Sequence, residues 1–181
     1  MLRPGTDQQY ARARREGVLV DGFVAPVGDR DGYADLYSGK KHLPGTDVQV
    51  VSDLDGRIAD LGEPVPGARH DAAAFQLSDI ATRWHQHYQP DGMGMTGDKG
   101  YLGTGIITPD RKPPGGELSD PQKTYNTSVN RIRAAVERAI AHLKNWKILK
   151  TGYHRIMRYF PDILRTVTML EIYRVWAPSF E

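Results

Sequence analysis

The order of the hydrophobic patterns restricts the fold of this chain more than any other feature: strand patterns come first and helical patterns follow. Residues 18–24, 46–51 and 56–61 are short segments rich in Val, Ile and Leu, and Gly, Asp and Pro residues lie between them. Such segments favour β-strands, and turn-rich connections favour antiparallel pairing. We therefore predict a three-stranded antiparallel meander at a sheet edge.

The next patterns alternate between helix and strand. Residues 71–84 have helical spacing with Asp71 as the predicted N-cap, and the short segment 93–98 predicts a fourth strand. Residues 104–120 are rich in Pro and Gly and are predicted to form a loop. Three strands, a helix, a fourth strand and further helices are the order in which a ribonuclease-H-like α/β fold begins. Such a fold has a mixed sheet flanked by helices.

Two long helices are predicted in the second half of the chain. One runs from about residue 120 to 146, and the other begins at Pro161. Apolar residues at helical spacing predict the faces that pack on the sheet. They are Val129, Ile132, Val136, Ile140 and Leu143 in the first helix, and Ile163, Val167, Leu170 and Val175 in the second.

The length of 181 residues suits one domain with its own core. Residues 1–16 are polar, which predicts a stub or the remnant of a missing N-terminal region, and we assign the domain to residues 17–181. The absence of Cys excludes disulfides and Cys-based zinc or iron-sulfur sites, and no run of about 18 apolar residues predicts a membrane span. We therefore expect a cytoplasmic protein.

Charge is distributed unevenly along the chain. Residues 131–165 contain nine Lys or Arg residues and two acidic ones, a net charge of +7, so the rest of the chain carries −5 of the overall +2. This asymmetry favours an anionic partner, with nucleic acid the usual candidate. The alternative is a solvated helix face without a partner.

Three acidic residues lie where this fold can gather them. Asp21 lies in the first predicted strand, Asp98 at the end of the fourth, and Glu137 in the long helix. The first and fourth strands are neighbours in a sheet of this order, and a helix laid across them can bring a third carboxylate. A buried Asp21 is costly unless it is paired or bound to metal, whereas Glu137 alone is ordinary for a helix.

Grouped carboxylates repel one another, and divalent cations with a preference for oxygen ligands relieve that repulsion. Mg²⁺ or Mn²⁺ fits such a site best. Two ions about 4 Å apart would stabilise both the attacking and the leaving oxygen of a phosphodiester displacement. The sequence therefore predicts phosphodiester chemistry that needs no Ser or His nucleophile.

Basic residues surround Glu137 on the long helix. Arg133, Glu137 and Lys144 are at positions i, i+4 and i+11 and share one helix face. Lys144 lies about 10 Å beyond the carboxylate, which suits a contact with a neighbouring phosphate. Arg131, Arg138 and Lys147 extend the positive surface. An Arg133–Glu137 surface salt bridge is the plainer alternative for that pair.

These residues form motifs that resemble a known family. Asn130-x2-Arg133-x3-Glu137-x6-Lys144 resembles the Tyr-x2-Arg-x3-Glu-x6-Lys signature of bacterial insertion-sequence transposases, with Asn in place of the Tyr. Gly97-Asp98-Lys99-Gly100-Tyr101 resembles their second-aspartate motif, and Val20-Asp21-Gly22 resembles the first. Residues 66–71, Pro-Gly-Ala-Arg-His-Asp, resemble a segment of the DDE superfamily endonuclease branch that includes Harbinger-type elements.

The resemblance implies a DDE triad of Asp21, Asp98 and Glu137 that binds two divalent ions, and DNA contacts by Arg133 and Lys144. It also implies cutting at element ends, joining of the 3′-hydroxyl to target DNA, and allows for a homo-oligomer in a synaptic complex. Asp71 is the alternative second aspartate, although an N-cap role is the simpler interpretation. Members of this family usually carry a helical DNA-binding region before the first aspartate, so the chain resembles a catalytic domain alone.

Two other functions stay open: an inactive DNA-binding remnant of such a transposase, and a ribonuclease-H-like nuclease that acts outside transposition. Nucleotide hydrolysis has no support, because Ala34 stands where a P-loop before Gly39-Lys40 needs Gly. A zinc pair is not expected from His85 and His87, because a helix points them in two directions.

Overall fold

A computed structural model describes residues 13–28 and 34–176 of the chain. Its strands are β1 (Val18–Pro26), β2 (Tyr37–Ser38), β3 (Leu43–Ser52), β4 (Ile58–Leu61), β5 (Val65–Pro66) and β6 (Met95–Thr96). Its α-helices are α1 (Asp71–Leu77), α2 (Ile80–Arg83), α3 (Asp120–Leu143), α4 (Lys147–Lys150) and α5 (Phe160–Trp176). Short 3-10 turns lie at Ala34–Leu36, His85–Tyr88, Lys99–Tyr101 and Met157–Tyr159.

The strands form one mixed sheet in which β1 is central. β1 pairs with β3 antiparallel and with β6 parallel, and β2, β4 and β5 all pair with β3 antiparallel. The predicted meander and the neighbouring first and fourth strands are therefore confirmed. The fold class is also confirmed, because helices flank a mixed sheet in the manner of a ribonuclease-H-like fold.

Each face of the sheet carries its own hydrophobic core. On one face, Phe23 and Val50 pack with residues of α3 and α5, including Leu143 and Leu164. On the other face, Val18, Val20 and Val51 pack with Phe75, Ile80 and Trp84 and with Tyr101. Successive residues of a strand point to opposite faces, so the β-branched composition of β1 follows from its burial on both sides.

Helix α3 begins where its sequence predicts. Ser119 is the N-cap, and its hydroxyl accepts from the backbone N–H of Gln122. The backbone N–H of Ser119 in turn donates to Gln122 Oε1, which completes a capping box. The helix ends at Leu143 rather than at residue 146. The prediction that Ile132 packs on the sheet is wrong, because its side chain is 48% exposed. The adjacent Arg133 is buried instead.

The packed face of the last helix matches the predicted one only in part: Val167 is buried and Ile163 packs against the core, as predicted. Leu170 and Val175 are exposed, and the buried residues are Leu164, Val167, Thr168, Glu171 and Ile172. Polar residues occupy part of the buried face because they have partners there: Glu171 accepts from Trp146 Nε1 at 3.2 Å and pairs with Arg174. Apolar spacing alone therefore misplaces two of the four predicted residues here.

The helical pattern at residues 71–84 is interrupted. Asp79 adopts φ +67°, a left-handed conformation that ends α1 and begins α2. The prediction that Asp71 is the N-cap is wrong as well, because His70 occupies the cap position and Asp71 is the first helical residue. That shift leaves the Asp71 carboxylate free to face away from its own helix turn.

Part of the predicted polar stub lies within the described residues. Ala13 is 1% exposed in the core beside α2, and its carbonyl lies 3.2 Å from His87 Nε2. The remaining predicted stub, residues 1–12, lies outside the described residues. Within the described ranges, no helix combines the length and apolar character that a membrane crossing requires.

Candidate active site

Strand pairing brings the first two predicted aspartates together. β1 and β6 run parallel with Val18 opposite Met95 and Leu19 opposite Thr96. The same register, continued two residues past β6, sets Asp98 level with Asp21. The two carboxylates also interact electrostatically: burial is the main cause of the raised pKa of Asp21, and the negative charge of Asp98 raises it further.

A glycine holds Asp98 and Asp71 side by side. The Asp98 carboxylate caps the 3-10 turn that follows it and accepts from Gly100 N at 2.7 Å. A Cβ added to Gly100 would lie 2.8 Å from Asp98 Oδ1 and would also clash with Asp71 Oδ2. The second glycine of the Gly97–Tyr101 motif is therefore explained by close approach of two carboxylates.

The segment at residues 66–71 is tied to the base of the β2–β3 hairpin. Pro66 ends β5, and Gly67 N donates to Gly45 O at 3.0 Å. A Cβ on Gly67 would lie 2.5 Å from that same oxygen, so this close packing requires glycine. The segment places Asp71 so that its Oδ2 lies 3.3 Å from Lys40 Nζ.

Asp21 is a strongly perturbed carboxylate at this point of the sheet. Burial raises its pKa to about 6, while Arg133 and the backbone N–H of Gly22 oppose the shift. Gly22 N donates to Asp21 Oδ1 at 2.9 Å, and Arg133 Nη2 lies 3.5 Å from Asp21 Oδ2. A half-buried carboxylate with a raised pKa and a partial counter-charge is typical of a functional site.

Glu137 lies next to this group without joining it. Its Oε1 is 3.6 Å from Arg133 Nη2, so one guanidinium stands between Glu137 and Asp21. The Glu137 side chain is 56% exposed and does not line the cavity in which Asp21 and Asp98 lie. Among the residues that the structure describes, no three His, Asp or Glu side chains are arranged to hold one ion.

A cavity of about 690 Å³, which we call the central cavity, opens over Asp21. Four carboxylates line it: those of Asp21, Asp47, Asp71 and Asp98. Seven basic side chains line it as well, and of these the sequence predicted Arg133 and Lys144. The other five are Lys40, Lys41, Arg69, Lys99 and Arg111. They come from short loops with one or two basic residues each, so no charge run in the sequence marks them.

The other predicted DNA-binding residues lie elsewhere. Arg131, Arg138 and Lys147 are exposed and do not line the central cavity. Arg138 Nη2 donates to the carbonyl of Asp55 at 3.0 Å, at the turn between β3 and β4. The positive charge of residues 131–165 is thus spread over more than one face of α3, because Arg138 is about 140° around the helix from Arg133.

A buried polar chain lies against the central cavity and was not anticipated from the sequence. Tyr101 Oη donates to Gln49 Oε1 at 2.6 Å, and Gln49 Nε2 donates to Asp47 Oδ1 at 2.6 Å. Burial raises the pKa of Asp47 to about 6, against the hydrogen bond from Gln49. The Tyr of the Gly97–Tyr101 motif therefore orients polar groups beneath the cavity, in addition to packing edge-on against Phe75.

The chemistry of these donors fits a divalent cation. Carboxylate oxygens are the ligands that Mg²⁺ and Mn²⁺ prefer, and burial, which raises the pKa of Asp21, disfavours its charge unless a cation lies beside it. Asp21, Asp98 and either Asp71 or Glu137 are the carboxylates that could hold such an ion. The arrangement can therefore support phosphoryl chemistry beside a positively charged rim.

Comparison with known proteins agrees with this chemistry. Residues 20–171 match the family described as DDE superfamily endonuclease, whose members generally use divalent metal ions. The chain is 33% identical over 138 residues to a "putative transposase for insertion sequence element IS112" from Streptomyces albus G, covering 74% of this chain and 49% of that protein.

A second relative is the "probable transposase for insertion sequence element IS702" from Microchaete diplosiphon, 32% identical over 166 residues. That match covers 87% of this chain and 57% of the relative. The chain thus spans about half the length of the curated relatives it matches. No solved structure gives a significant match.

Proposed function

The chain belongs to the DDE superfamily endonucleases, and we propose that it is the catalytic domain of an insertion-sequence transposase. The observation that carries the proposal is the pairing of β1 with β6, which sets Asp21 beside Asp98 in a cavity with a basic rim. The proposed reaction has two steps. Water hydrolyses a phosphodiester at the element end, and the freed 3′-hydroxyl then attacks a phosphodiester of target DNA.

In this proposal Asp21, Asp98 and Glu137 hold two Mg²⁺ or Mn²⁺ ions, with Asp71 as the alternative second aspartate. When bound, such ions supply positive charge that stabilises the negative charge developing on the attacked phosphate and on the leaving oxygen. Asp21 must be deprotonated to act as a ligand, and burial raises its pKa to about 6, so protonation competes with metal binding as the pH falls. Arg133 orients the Asp21 and Glu137 carboxylates that lie on either side of it.

The basic side chains of the rim hold the DNA strand. Lys144 lines the central cavity, and its ammonium lies 5.3 Å from the centre of the Phe23 ring, two residues along β1 from Asp21. A phosphate next to the scissile one would contact it there. Contacts of this type position the substrate without reading its sequence, because phosphates are the same at every base pair.

An inactive DNA-binding remnant is the second candidate. It is favoured by one observation: Glu137 is largely exposed and lies outside the central cavity. In that case the basic residues would still bind DNA, and the carboxylates would have no role in cleavage. A nuclease that acts outside transposition would cleave DNA without joining it to a target.

A plasmid that carries the coding region with its flanking DNA tests these functions. Purified protein is incubated with the supercoiled plasmid and Mg²⁺ or Mn²⁺, and nicked and joined products are measured. We expect Asp21→Asn, Asp98→Asn and Glu137→Gln each to lower nicking by about 100-fold or more, with the fold retained. Glu117→Gln is the matched control, because Glu117 is 79% exposed and outside the cavity.

The outcomes separate the candidates. Loss of nicking in Asp71→Asn with retention in Asp98→Asn would make Asp71 the second aspartate. Wild-type protein that binds DNA without nicking it would support the inactive remnant. A variant that combines Asp21→Asn, Asp98→Asn and Glu137→Gln and still nicks DNA at the wild-type rate would overturn the enzyme assignment.

A further inference from the structure

The tip of the β2–β3 hairpin places two adjacent lysines at the central cavity. Ser38 of β2 pairs with Leu43 of β3, which leaves a four-residue tip at residues 39–42. Two backbone bonds close it, from Lys41 N to Ser38 O at 3.2 Å and from His42 N to the same oxygen at 2.7 Å. The tip is therefore a closed turn, and its lysines project from defined backbone positions.

The two lysines have different surroundings. Lys40 Nζ lies 3.3 Å from Asp71 Oδ2, so its charge is largely compensated by a carboxylate. Lys41 is exposed, lines the same cavity, and makes no ion pair with any residue that the structure describes. In this turn, Lys40 is therefore paired with Asp71, whereas the Lys41 ammonium is available to bind an anion.

Lys41 and Lys144 line the same cavity, the one that opens over Asp21. Burial lowers the pKa of Lys144, and the positive charge of Lys41 lowers it further, with Asp21 as the opposing influence. Among the described residues, Lys144 has no ion pair either, and its ammonium faces the Phe23 ring. Two like charges that converge on one cavity without carboxylate partners are relieved when an anion binds between them.

We propose that the hairpin tip is a phosphate-binding element in which Lys41 acts with Lys144 to hold a backbone phosphate of DNA over Asp21. The inference rests on the proposed function, because it takes the anion to be a phosphodiester of the substrate strand. A polyanion fits better than a free phosphate, since Arg69, Lys99 and Arg111 also line the cavity and would meet neighbouring phosphates.

Salt dependence distinguishes the two hairpin lysines. Binding of a fluorescent 30-base-pair duplex is measured by anisotropy from about 50 to 300 mM KCl for wild type and for the Lys41→Ala, Lys40→Ala and Lys144→Ala variants. Each phosphate contact contributes about 0.9 to the slope of log affinity against log salt. We expect Lys41→Ala and Lys144→Ala each to reduce the slope by roughly one unit or less and the affinity by about 3- to 10-fold, for every duplex sequence.

Lys40→Ala is expected to change the slope less, because the Lys40 charge is already paired with Asp71. Lys123→Ala is the control, since Lys123 pairs with Asp120 on the exposed start of α3, outside the cavity. Lys41→Arg should restore the wild-type slope, which separates the charge from any change of fold. Thermal denaturation of each variant verifies that the hairpin lysines are not needed for folding.

The possible failures are distinguishable. A wild-type slope in Lys41→Ala together with a reduced slope in Lys144→Ala would overturn the hairpin proposal and leave the proposed function standing. Competition by millimolar inorganic phosphate that fully displaces the duplex would show a free-phosphate site and would also overturn it. Wild-type protein with no salt-dependent binding of any duplex would overturn both the hairpin proposal and the proposed function.

Discussion

Arg133 lies 3.5 Å from Asp21, measured from Nη2 to Oδ2, although 112 residues separate them in the chain. The same nitrogen lies 3.6 Å from Glu137 Oε1. Arg133 is 8% exposed, and its Nε has no hydrogen-bond partner among the described residues. This guanidinium therefore compensates the half-buried carboxylate of Asp21 and connects it to that of Glu137.

Arg133→Ala should weaken both stability and cleavage. Removal of the guanidinium leaves the half-buried Asp21 carboxylate without its ion pair, so we expect urea unfolding at pH 7.5 to show a loss of about 1–2 kcal/mol. Because Arg133 lowers the pKa of Asp21, its loss raises that pKa further. The acid limb of the cleavage profile should then move to higher pH, with a smaller effect on DNA affinity.

Arg138→Ala is the control for this prediction, because Arg138 lies on another face of α3 and bonds the Asp55 carbonyl. It should leave the pH profile of cleavage in place. An unchanged acid limb in Arg133→Ala would contradict the coupling between Arg133 and Asp21.

The sequence predicted the framework of the site better than its rim. Asp21 and Asp98 could be placed together because strand order, a property of the whole sheet, decides which strands are neighbours. The role of Glu137 as third ligand stays a prediction, since helix spacing shows a shared face with Arg133 but not the distance to the sheet. Lys41 could not be found, because two lysines in a turn carry no periodic signal.

Local sequence patterns also failed to predict part of the packing of α5 and the position of Asp71. Leu170 looks like a core residue by spacing, but the ion pair of Glu171 with Arg174 and its bond from Trp146 allow a polar residue to be buried instead. Asp71 looks like an N-cap by composition. Its pairing with Lys40 depends on a hairpin more than 30 residues earlier, which local propensity cannot represent.

Asp47 should contribute less stability to the metal-free protein as pH rises from about 4 to 6. Burial raises the pKa of Asp47 from 3.8 to about 6, so between these values the folded state binds more protons than the unfolded state. Stability is then greatest below the unfolded pKa and is lost as pH rises through the folded pKa. Asp21 contributes in the same direction.

Asp47→Asn tests this linkage, because Asn retains the oxygen that accepts from Gln49. The variant should gain up to about 3 kcal/mol relative to wild type above pH 7 and nothing below pH 4. Urea unfolding from pH 4 to 8 measures the difference, with Glu117→Gln as the exposed control. A gain that is independent of pH would show that charge at Asp47 is not its cause.

Divalent cations should stabilise the folded chain. A ligand at 100 times its dissociation constant adds about 2.7 kcal/mol, which for a domain of this size raises Tm by about 5–10 °C. We expect Mn²⁺ to do so at pH 7.5 and EDTA to reverse it. The effect should shrink below pH 6, where Asp21 becomes protonated, and should be lost in Asp21→Asn. An equal rise in that variant would place the ion elsewhere.

Tyr101→Phe should destabilise the protein by about 1–3 kcal/mol. The change removes the hydroxyl that donates to Gln49 Oε1 and leaves that buried oxygen without its partner. Gln49→Leu in the same background should not recover the loss, because it also removes the Gln49 Nε2 donor from the buried Asp47 carboxylate. Chemical denaturation of the two single variants and the double variant gives the coupling between them.

Gly100→Ala should lower metal-dependent cleavage by about 10-fold or more while the protein stays folded. The added methyl group would lie 2.8 Å from Asp98 Oδ1 and against Asp71 Oδ2, so the two carboxylates must move apart. Gly39→Ala is the matched control, because a Cβ at that hairpin position meets no atom within 4 Å. Cleavage and circular dichroism are compared for both variants. Because Gly100 lies between Asp71 and Asp98, wild-type cleavage by Gly100→Ala would show that at least one of these carboxylates has no part in the reaction.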